Sequence, residues 1–350
     1  ERTCFAMLKE RIDSLGLPDF PATKAAALDM LLHEEYGYLP PAPISMSWDV
    51  LETTPRFCAG KAPLTKVQLN CVMPEGGTFS FPVYCMIPSD GKKHPAFLHL
   101  NFRTALPDTY QPSEELCDNG YAVFTVCYND ITRDNNDFES GLAGILYENG
   151  QRKNDTDCGK IAMWAWGAHR VMDYICTLPE IEHSRVTVVG HSRLGKTALL
   201  AGATDERFFC SVSNDSGCSG AAITREKQGE RVKDIVDRFP FWFCKNYCKY
   251  SERESEMPFD QHWLIGCIAP RYAYVCSAEE DLWADPISEH LACYAAGAVY
   301  GEGGFVTPDR APQAGDIFHG GRIGYHLRRG MHFLSREDWL NYMRFLEGKL

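Results

Sequence analysis

The chain has no apolar run approaching the roughly 18 residues that a membrane-spanning helix needs, and it shows no internal repeat or low-complexity linker. Basic charge is also scarce. Thirty-five Lys and Arg face 47 Asp and Glu for a net charge of -12, which argues against a partner made of nucleic-acid phosphates. The 11 histidines form no HExxH pair, and Cys244 and Cys248 are the only closely spaced cysteines, with no second pair to complete a zinc site. The expectation is therefore a protein without metal or cofactor, acting away from membranes. The opening Glu1-Arg2-Thr3-Cys4 carries no secretory-leader pattern.

At 350 residues, 45% apolar and 23% charged, the chain can bury a large core, and α/β enzymes of this length are routinely one domain. The expected organisation is one catalytic domain over 1–350, with a helical lead-in at about 1–40 and an aromatic-rich insertion at about 225–260. Fifteen cysteines is an odd number, so at least one thiol is unpaired. Several, including Cys71, Cys85, Cys127 and Cys276, lie in apolar runs, where cysteine behaves as a small hydrophobe. That distribution points to a reducing compartment.

Strands and helices alternate as a parallel sheet requires. Leu8 to Tyr38 reads as helical at its centre and breaks at Gly37-Tyr38-Leu39-Pro40-Pro41. Val67–Met73 and Phe79–Ile87 read as strands paired around Gly76-Gly77, and Ala96–Leu100 and Ala122–Tyr128 as short buried strands. Lys160–Leu178 has helical spacing of Ala162, Trp166, Ala168, Met172 and Ile175. A β-branched run then ends in Val-Val-Gly-His-Ser-Arg-Leu-Gly-Lys, from Val188 to Lys196, followed by a helical segment. A sharp turn from strand into helix lifts a serine hydroxyl out of the sheet and points the next N–H and the helix N-terminus at a developing oxyanion. Ser192 is therefore the candidate nucleophile, although Leu194 stands where the common G-x-S-x-G signature has its second glycine.

A serine needs a base, and in this fold the chain order is Ser, acid, His. His332 fits that order, between Gly330 and a final helix that starts at the capping-box pattern Ser335-Arg336-Glu337-Asp338. His326 and His319 are its nearby rivals. Two segments offer the acid. Asp215 follows the strand-like Phe208–Val212, and Asp281 follows Ala273–Cys276. Asp281 is preferred because an acid after the penultimate strand is the usual arrangement in this fold.

Together these residues resemble the glucuronoyl esterases, carbohydrate esterase family fifteen, especially the bacterial branch. The resemblance covers most of the chain. Its motifs are Gly-His-Ser-Arg-Leu-Gly-Lys-Thr-Ala-Leu at the elbow, Asn214-Asp215-Ser216-Gly217-Cys218 with Gly220-Ala221-Ala222, and Phe239-Pro240-Phe241-Trp242-Phe243-Cys244. Asp260-Gln261-His262, the run Ser277 to Pro286 and the Gly-Tyr-His segment before His332 complete it. The family's Ser-Arg-x-Gly-Lys pattern accounts for the delayed Gly195.

The resemblance implies an α/β-hydrolase fold with a mostly parallel sheet between helical layers. It also implies hydrolysis, through an acyl-enzyme, of the ester between 4-O-methyl-glucuronic acid of glucuronoxylan and lignin alcohols, by a monomer. Ser192 would attack and His332 would shuttle the proton. Arg193 would add a charged donor to the oxyanion, and Lys196, Glu230 and Trp283 would line the sugar site. Some members carry a glutamate at the position of Asp215 and others use an acid at that of Asp281, so both stay open. Two other readings remain: an acetyl-xylan or other carbohydrate esterase on the same scaffold, and a catalytically silent sugar-binding homologue.

Overall fold

The computed structural model describes residues 7–74 and 76–349; Glu1–Ala6, Glu75 and Leu350 lie outside them, and with them the opening segment, Cys4 and the first part of the lead-in. Ten strands form one sheet. They are β1 (Ser45–Phe57), β2 (Ala62–Val72), β3 (Thr78–Met86), β4 (His94–Asn101), β5 (Ala122–Cys127), β6 (Ile181–His191), β7 (Cys210–Asn214), β8 (Tyr272–Ala278), β9 (Ile317–Phe318) and β10 (Ile323–Arg328). Their order is β1-β2-β3-β5-β4-β6-β7-β8-β10-β9. From β5 to β10 the pairing is parallel, whereas β1, β2, β3 and the short β9 pair antiparallel. This is the mostly parallel sheet of an α/β-hydrolase.

The central strands are apolar on both faces because both are covered. In β6, Val186 and Val188 belong to the core beneath the helices Lys160–Ile175, Arg193–Thr204 and Pro286–Tyr300, while Val189 faces the opposite core. In β8, Ala273 and Val275 alternate with Tyr274 and Cys276 in the same way. The second core is closed by Leu116 and Cys117 of the helix Ser113–Asp118 and by Trp339, Tyr342, Met343 and Leu346 of the helix Arg336–Glu347. The capping box expected at that last helix is present. Ser335 Oγ accepts from the Asp338 N–H at 3.2 Å, and Asp338 Oδ2 accepts from the Ser335 N–H at 2.6 Å.

Two features differ from the sequence reading. The lead-in is broken into the helices Leu8–Leu15 and Lys24–Leu31, because Gly16 closes the first in a left-handed conformation (φ 57°) and Thr23 caps the second through the Ala26 N–H. The hairpin at Gly76-Gly77 has a third strand beside it, β1, whose residues are nearly all exposed. All fourteen cysteines among the described residues are free thiols, and no helix there is long and apolar enough to cross a membrane.

The aromatic excursion folds as short turns and the helix Val232–Arg238, and it docks on the lead-in. The Cys244 N–H donates to Glu35 O at 2.9 Å, Tyr250 Oη donates to Glu34 at 2.6 Å, and Gln261 Nε2 lies 3.0 Å from both carboxylate oxygens of Glu35. Glu35 is fully buried, and that burial pushes its pKa from 4.5 to about 8. A raised carboxyl pKa means that the folded state holds a proton which the unfolded chain releases. The stability tied to the protonated form is complete below about 4.5 and falls as pH rises towards about 8. Glu35→Gln, a neutral isostere of the protonated acid, should flatten this decline in urea-unfolding midpoints measured at several pH values across that window. An unchanged pH slope in the variant would show that Glu35 does not carry it.

Candidate active site

Strands β6, β7, β8 and β10 each end at the same edge of the sheet, where α/β folds bind ligands. At the end of β6 the chain reverses at Ser192, with φ 58° and ψ -127°, and enters the helix Arg193–Thr204. A non-glycine residue there stores roughly 1–3 kcal/mol of backbone strain. Three contacts hold it. The Ser192 N–H donates to Asn214 O at 2.8 Å, and Ser192 O accepts from the N–H groups of Gly195 at 2.8 Å and Lys196 at 3.3 Å. Gly190 is required, since a Cβ there would lie 1.9 Å from Leu194 O. The N–H groups of Arg193 and Leu194, which precede those two donors, have no carbonyl to bond within the helix and lie at the N-terminus that starts beside the serine.

His332 follows β10, and its Nδ1–H donates to Asp281 Oδ2 at 2.6 Å. Asp281 follows β8 and is buried, with Oδ1 accepting from the Ala284 N–H at 3.2 Å. Burial alone would raise the pKa of this carboxyl, but the His332 hydrogen bond and charge outweigh it and hold the pKa below the usual carboxylate range. His191 packs against His332, the candidate base, ring centroids 4.4 Å apart. Its Nδ1 meets Asn214 Oδ1 at 2.5 Å, and burial, together with the neighbouring His332, lowers its pKa to about 3. It stays neutral and adds no charge beside the base.

Asp215 follows β7 and places one oxygen within 4.8 Å of a carboxylate oxygen of Asp281 and of a ring nitrogen of His332. Its hydrogen bonds go elsewhere. Oδ2 accepts from Arg328 Nη2 and from the Phe333 N–H, each at 3.3 Å, and Oδ1 is buried without a partner. Burial, then the charges of Glu289 and Asp338, push its pKa well above the carboxylate range, with Arg328 opposing.

Arg193 points its guanidinium over Trp242, 4.8 Å from the ring centroid, with Phe239 and Phe102 at 5.6 and 5.8 Å. Asp134 pairs with its Nη1 and also accepts from Tyr128 Oη at 3.0 Å and Trp242 Nε1 at 2.6 Å. The arginine is thus a charged donor with fixed aim, held by a carboxylate on one side and aromatic faces on the others. Lys196, one helical turn past Ser192, donates to Ser216 O and Cys218 O and lies 4.0 Å from Glu230 Oε2. The gap between these two charged groups suits a hydroxyl that accepts from one and donates to the other. Trp283 is 49% exposed at the rim.

All eight residues expected from the sequence, Ser192, Arg193, Lys196, Asp215, Glu230, Asp281, Trp283 and His332, line one cavity of about 300 Å³, with Phe239, Trp242 and Arg238 opposite. The rival histidines are elsewhere. His326 bonds Tyr274 Oη and Asp338 Oδ1 at 2.8 Å each, and His319 bonds Tyr274 Oη at 2.8 Å. A larger groove of about 750 Å³ near Cys58 and Glu114 is lined by no histidine, and Arg336 and Lys61 pair with its carboxylates. Cys276, His326 and Asp338 also converge, but each is already engaged in hydrogen bonds. Sequence reasoning missed Asp134, His191 and Arg328. Asp134 sits in the polar stretch Thr132–Asp137, which reads as an ordinary turn, and its partner is 59 positions away.

A sharp turn at a serine, with a histidine–aspartate pair beside it at the ends of parallel strands, is the arrangement of an α/β-hydrolase fold. The comparisons go further. The family described as "Glucuronyl esterase, fungi" matches residues 71–304. A carbohydrate esterase designated MZ0003, from an unknown prokaryotic organism, is 42% identical over 238 residues, covering 67% of this chain and 55% of that protein. A 4-O-methyl-glucuronoyl methylesterase of Podospora anserina is 28% identical over 285 residues, covering 78% and 54% respectively. The solved glucuronoyl esterase of Solibacter usitatus superposes with a TM-score of 0.85 at 32% identity, covering 94% of this chain and 92% of that one. The chain belongs to the glucuronoyl esterase family. It spans about half the length of the curated relatives it matches.

The geometry ranks the two acids. Asp281→Asn should lower kcat by about 10³–10⁴, because the partner of Nδ1 fixes the productive tautomer and stabilises the imidazolium, whereas Asp215→Asn should cost far less. Steady-state kinetics on both variants checks this, and the reverse ranking would transfer the role to Asp215.

Proposed function

We propose that the protein is a serine carbohydrate esterase that hydrolyses esters between 4-O-methyl-glucuronic acid of glucuronoxylan and lignin-type alcohols. The supporting observation is the convergence of the Ser192 elbow, the Asp281–His332 pair and the aimed Arg193 guanidinium in one cavity that also carries Lys196 and Glu230. The Podospora anserina relative, a 4-O-methyl-glucuronoyl methylesterase, acts on an ester of the same uronic acid.

In this reading Ser192 Oγ attacks the uronic carbonyl while His332 takes its proton. Asp281, ionised beside the ring, stabilises the imidazolium; Asp215, pushed towards its neutral form, offers it less. Negative charge on the tetrahedral oxygen is met by Arg193 and by the N–H groups at the start of its helix. His332 then protonates the departing alcohol. Water, deprotonated by the same imidazole, attacks the acyl-enzyme and releases glucuronate. Lys196 and Glu230 hold ring hydroxyls, and Trp283 offers its exposed face to the sugar.

The acetyl-xylan esterase alternative has less support, because an acetyl group makes no use of Lys196, Glu230 or an arginine beside the nucleophile. The silent-homologue reading has least, since Ser192, His332 and Asp281 line one cavity and the last two are hydrogen-bonded to each other. Two measurements test the proposal. Arg193→Ala should lower kcat by about 10²–10³; a change confined to KM would make Arg193 a binding contact only. The methyl ester of glucuronate should exceed that of galacturonate in kcat/KM by about tenfold to a hundredfold, since an epimeric hydroxyl leaves Lys196 or Glu230 unpartnered at about 1–3 kcal/mol. Equal rates on the two esters, or a preference for acetylated xylan, would contradict the substrate assignment.

A further inference from the structure

Arg328 is the last residue of β10, four positions before His332, and it is buried at 5% exposure. Nothing in its own sequence context, Tyr-His-Leu-Arg-Arg-Gly, separates it from the solvated arginine beside it. In the fold its guanidinium is surrounded by acceptors. Nε lies 3.0 and 3.1 Å from the two oxygens of Asp338, and Nη1 donates to Arg329 O at 3.1 Å. Nη2 reaches Asp215 Oδ2 at 3.3 Å, Met331 O at 2.9 Å and Phe333 O.

Three of these acceptors are backbone carbonyls of the loop that carries the base, and two of them belong to the immediate neighbours of His332. The remaining contacts complete the cradle. Asp215 Oδ2 also accepts from the Phe333 N–H at 3.3 Å, and Gly330 O accepts from the Glu280 N–H at 2.9 Å, one residue before Asp281. Asp338 is anchored in turn by His326 Nε2 at 2.8 Å and by the cap at Ser335. The loop has no regular secondary structure of its own, and Met331 at its tip is 70% exposed. Something other than core packing must therefore hold it.

We propose that Arg328 is a positioning residue: its guanidinium, clamped between Asp215 and Asp338, ties down the carbonyls on both sides of His332 and so fixes the imidazole between Ser192 and Asp281. This rests on the reading of His332 as the base. It gives Asp215 a role distinct from the triad acid, as the counter-group that draws Nη2 towards the loop. Arginine is needed because six acceptors in one plane-and-fork arrangement exceed what the three donors of a lysine can serve.

The test uses Arg328→Lys and Arg328→Ala in the full chain, with methyl glucuronate hydrolysis and backbone hydrogen exchange as readouts. Displacement of the base by about 1 Å costs on the order of 10² in rate. Arg328→Lys should accordingly lower kcat by about a hundredfold with KM changed by less than about twofold. In Arg328→Ala, added guanidinium ion should restore kcat by about tenfold or more, a rescue that a role in folding alone would not give. Amides of residues 329–333 should lose protection while those of β6 and β8 keep it. A kcat within about threefold of the parent in both folded variants, unchanged exchange in 329–333, or failure of both variants to fold would overturn the proposal. Should the parent itself not hydrolyse the ester, the substrate assignment fails, and the exchange result alone decides the clamp.

Discussion

The backbone reversal at Ser192 is the constraint from which the geometry of the site follows. A strand that ends at φ 58° and continues directly as a helix sets a hydroxyl at the sheet edge and brings the helix N-terminus to the same place. The arrangement is affordable only because the surroundings determine it from three sides. Asn214 receives the Ser192 N–H, Gly190 leaves room for the passing helix backbone, and the next turn closes on Ser192 O. Parallel pairing then does the rest. Because β7, β8 and β10 run in the same direction as β6, they end at the serine's edge of the sheet, and Asp215, Asp281 and His332 follow those ends directly or within a short turn.

The charged groups around the serine are arranged in pairs. Asp281 stands beside His332 and Asp134 beside Arg193, while Arg328, outside the cavity lining, sits between Asp338 and the cavity-lining Asp215. Leaving the buried Arg328 without its carboxylate partners would cost about 3–5 kcal/mol, so that pairing is as much a condition of folding as of chemistry. The pairs also separate the two carboxyls near the base. Asp281 is held ionised by the imidazole, while Asp215, crowded by burial and by Glu289 and Asp338, is driven towards its neutral form. Two aspartates close in space thus acquire different properties from their surroundings alone.

Much of this was legible in the sequence. The Val-Val-Gly-His-Ser run identified the elbow because β-branched residues, a small residue and a helical pattern coincide there, and Ser335 with Asp338 announced the helix that follows the base. The resemblance supplied Lys196, Glu230 and Trp283, which no local pattern separates from solvated or core residues. What the sequence did not yield has two physical causes. Strand β1, Ser-Met-Ser-Trp-Asp-Val-Leu-Glu, is exposed on both faces and so lacks the alternation that burial imposes. Asp134 and Arg328 owe their importance to partners 59 and 113 positions away, and in a single sequence a charged residue beside a turn looks the same whether it is solvated or buried against such a partner.

The central claim is that a covalent acyl group passes through Ser192. Rapid acid quench of the enzyme during turnover of a methyl glucuronate ester, followed by peptide mass spectrometry, addresses it directly. The account predicts a glucuronoyl adduct on the peptide that contains Ser192, accumulating further when deacylation is slowed. Turnover with no adduct on that peptide, or with the adduct on another residue, would contradict it.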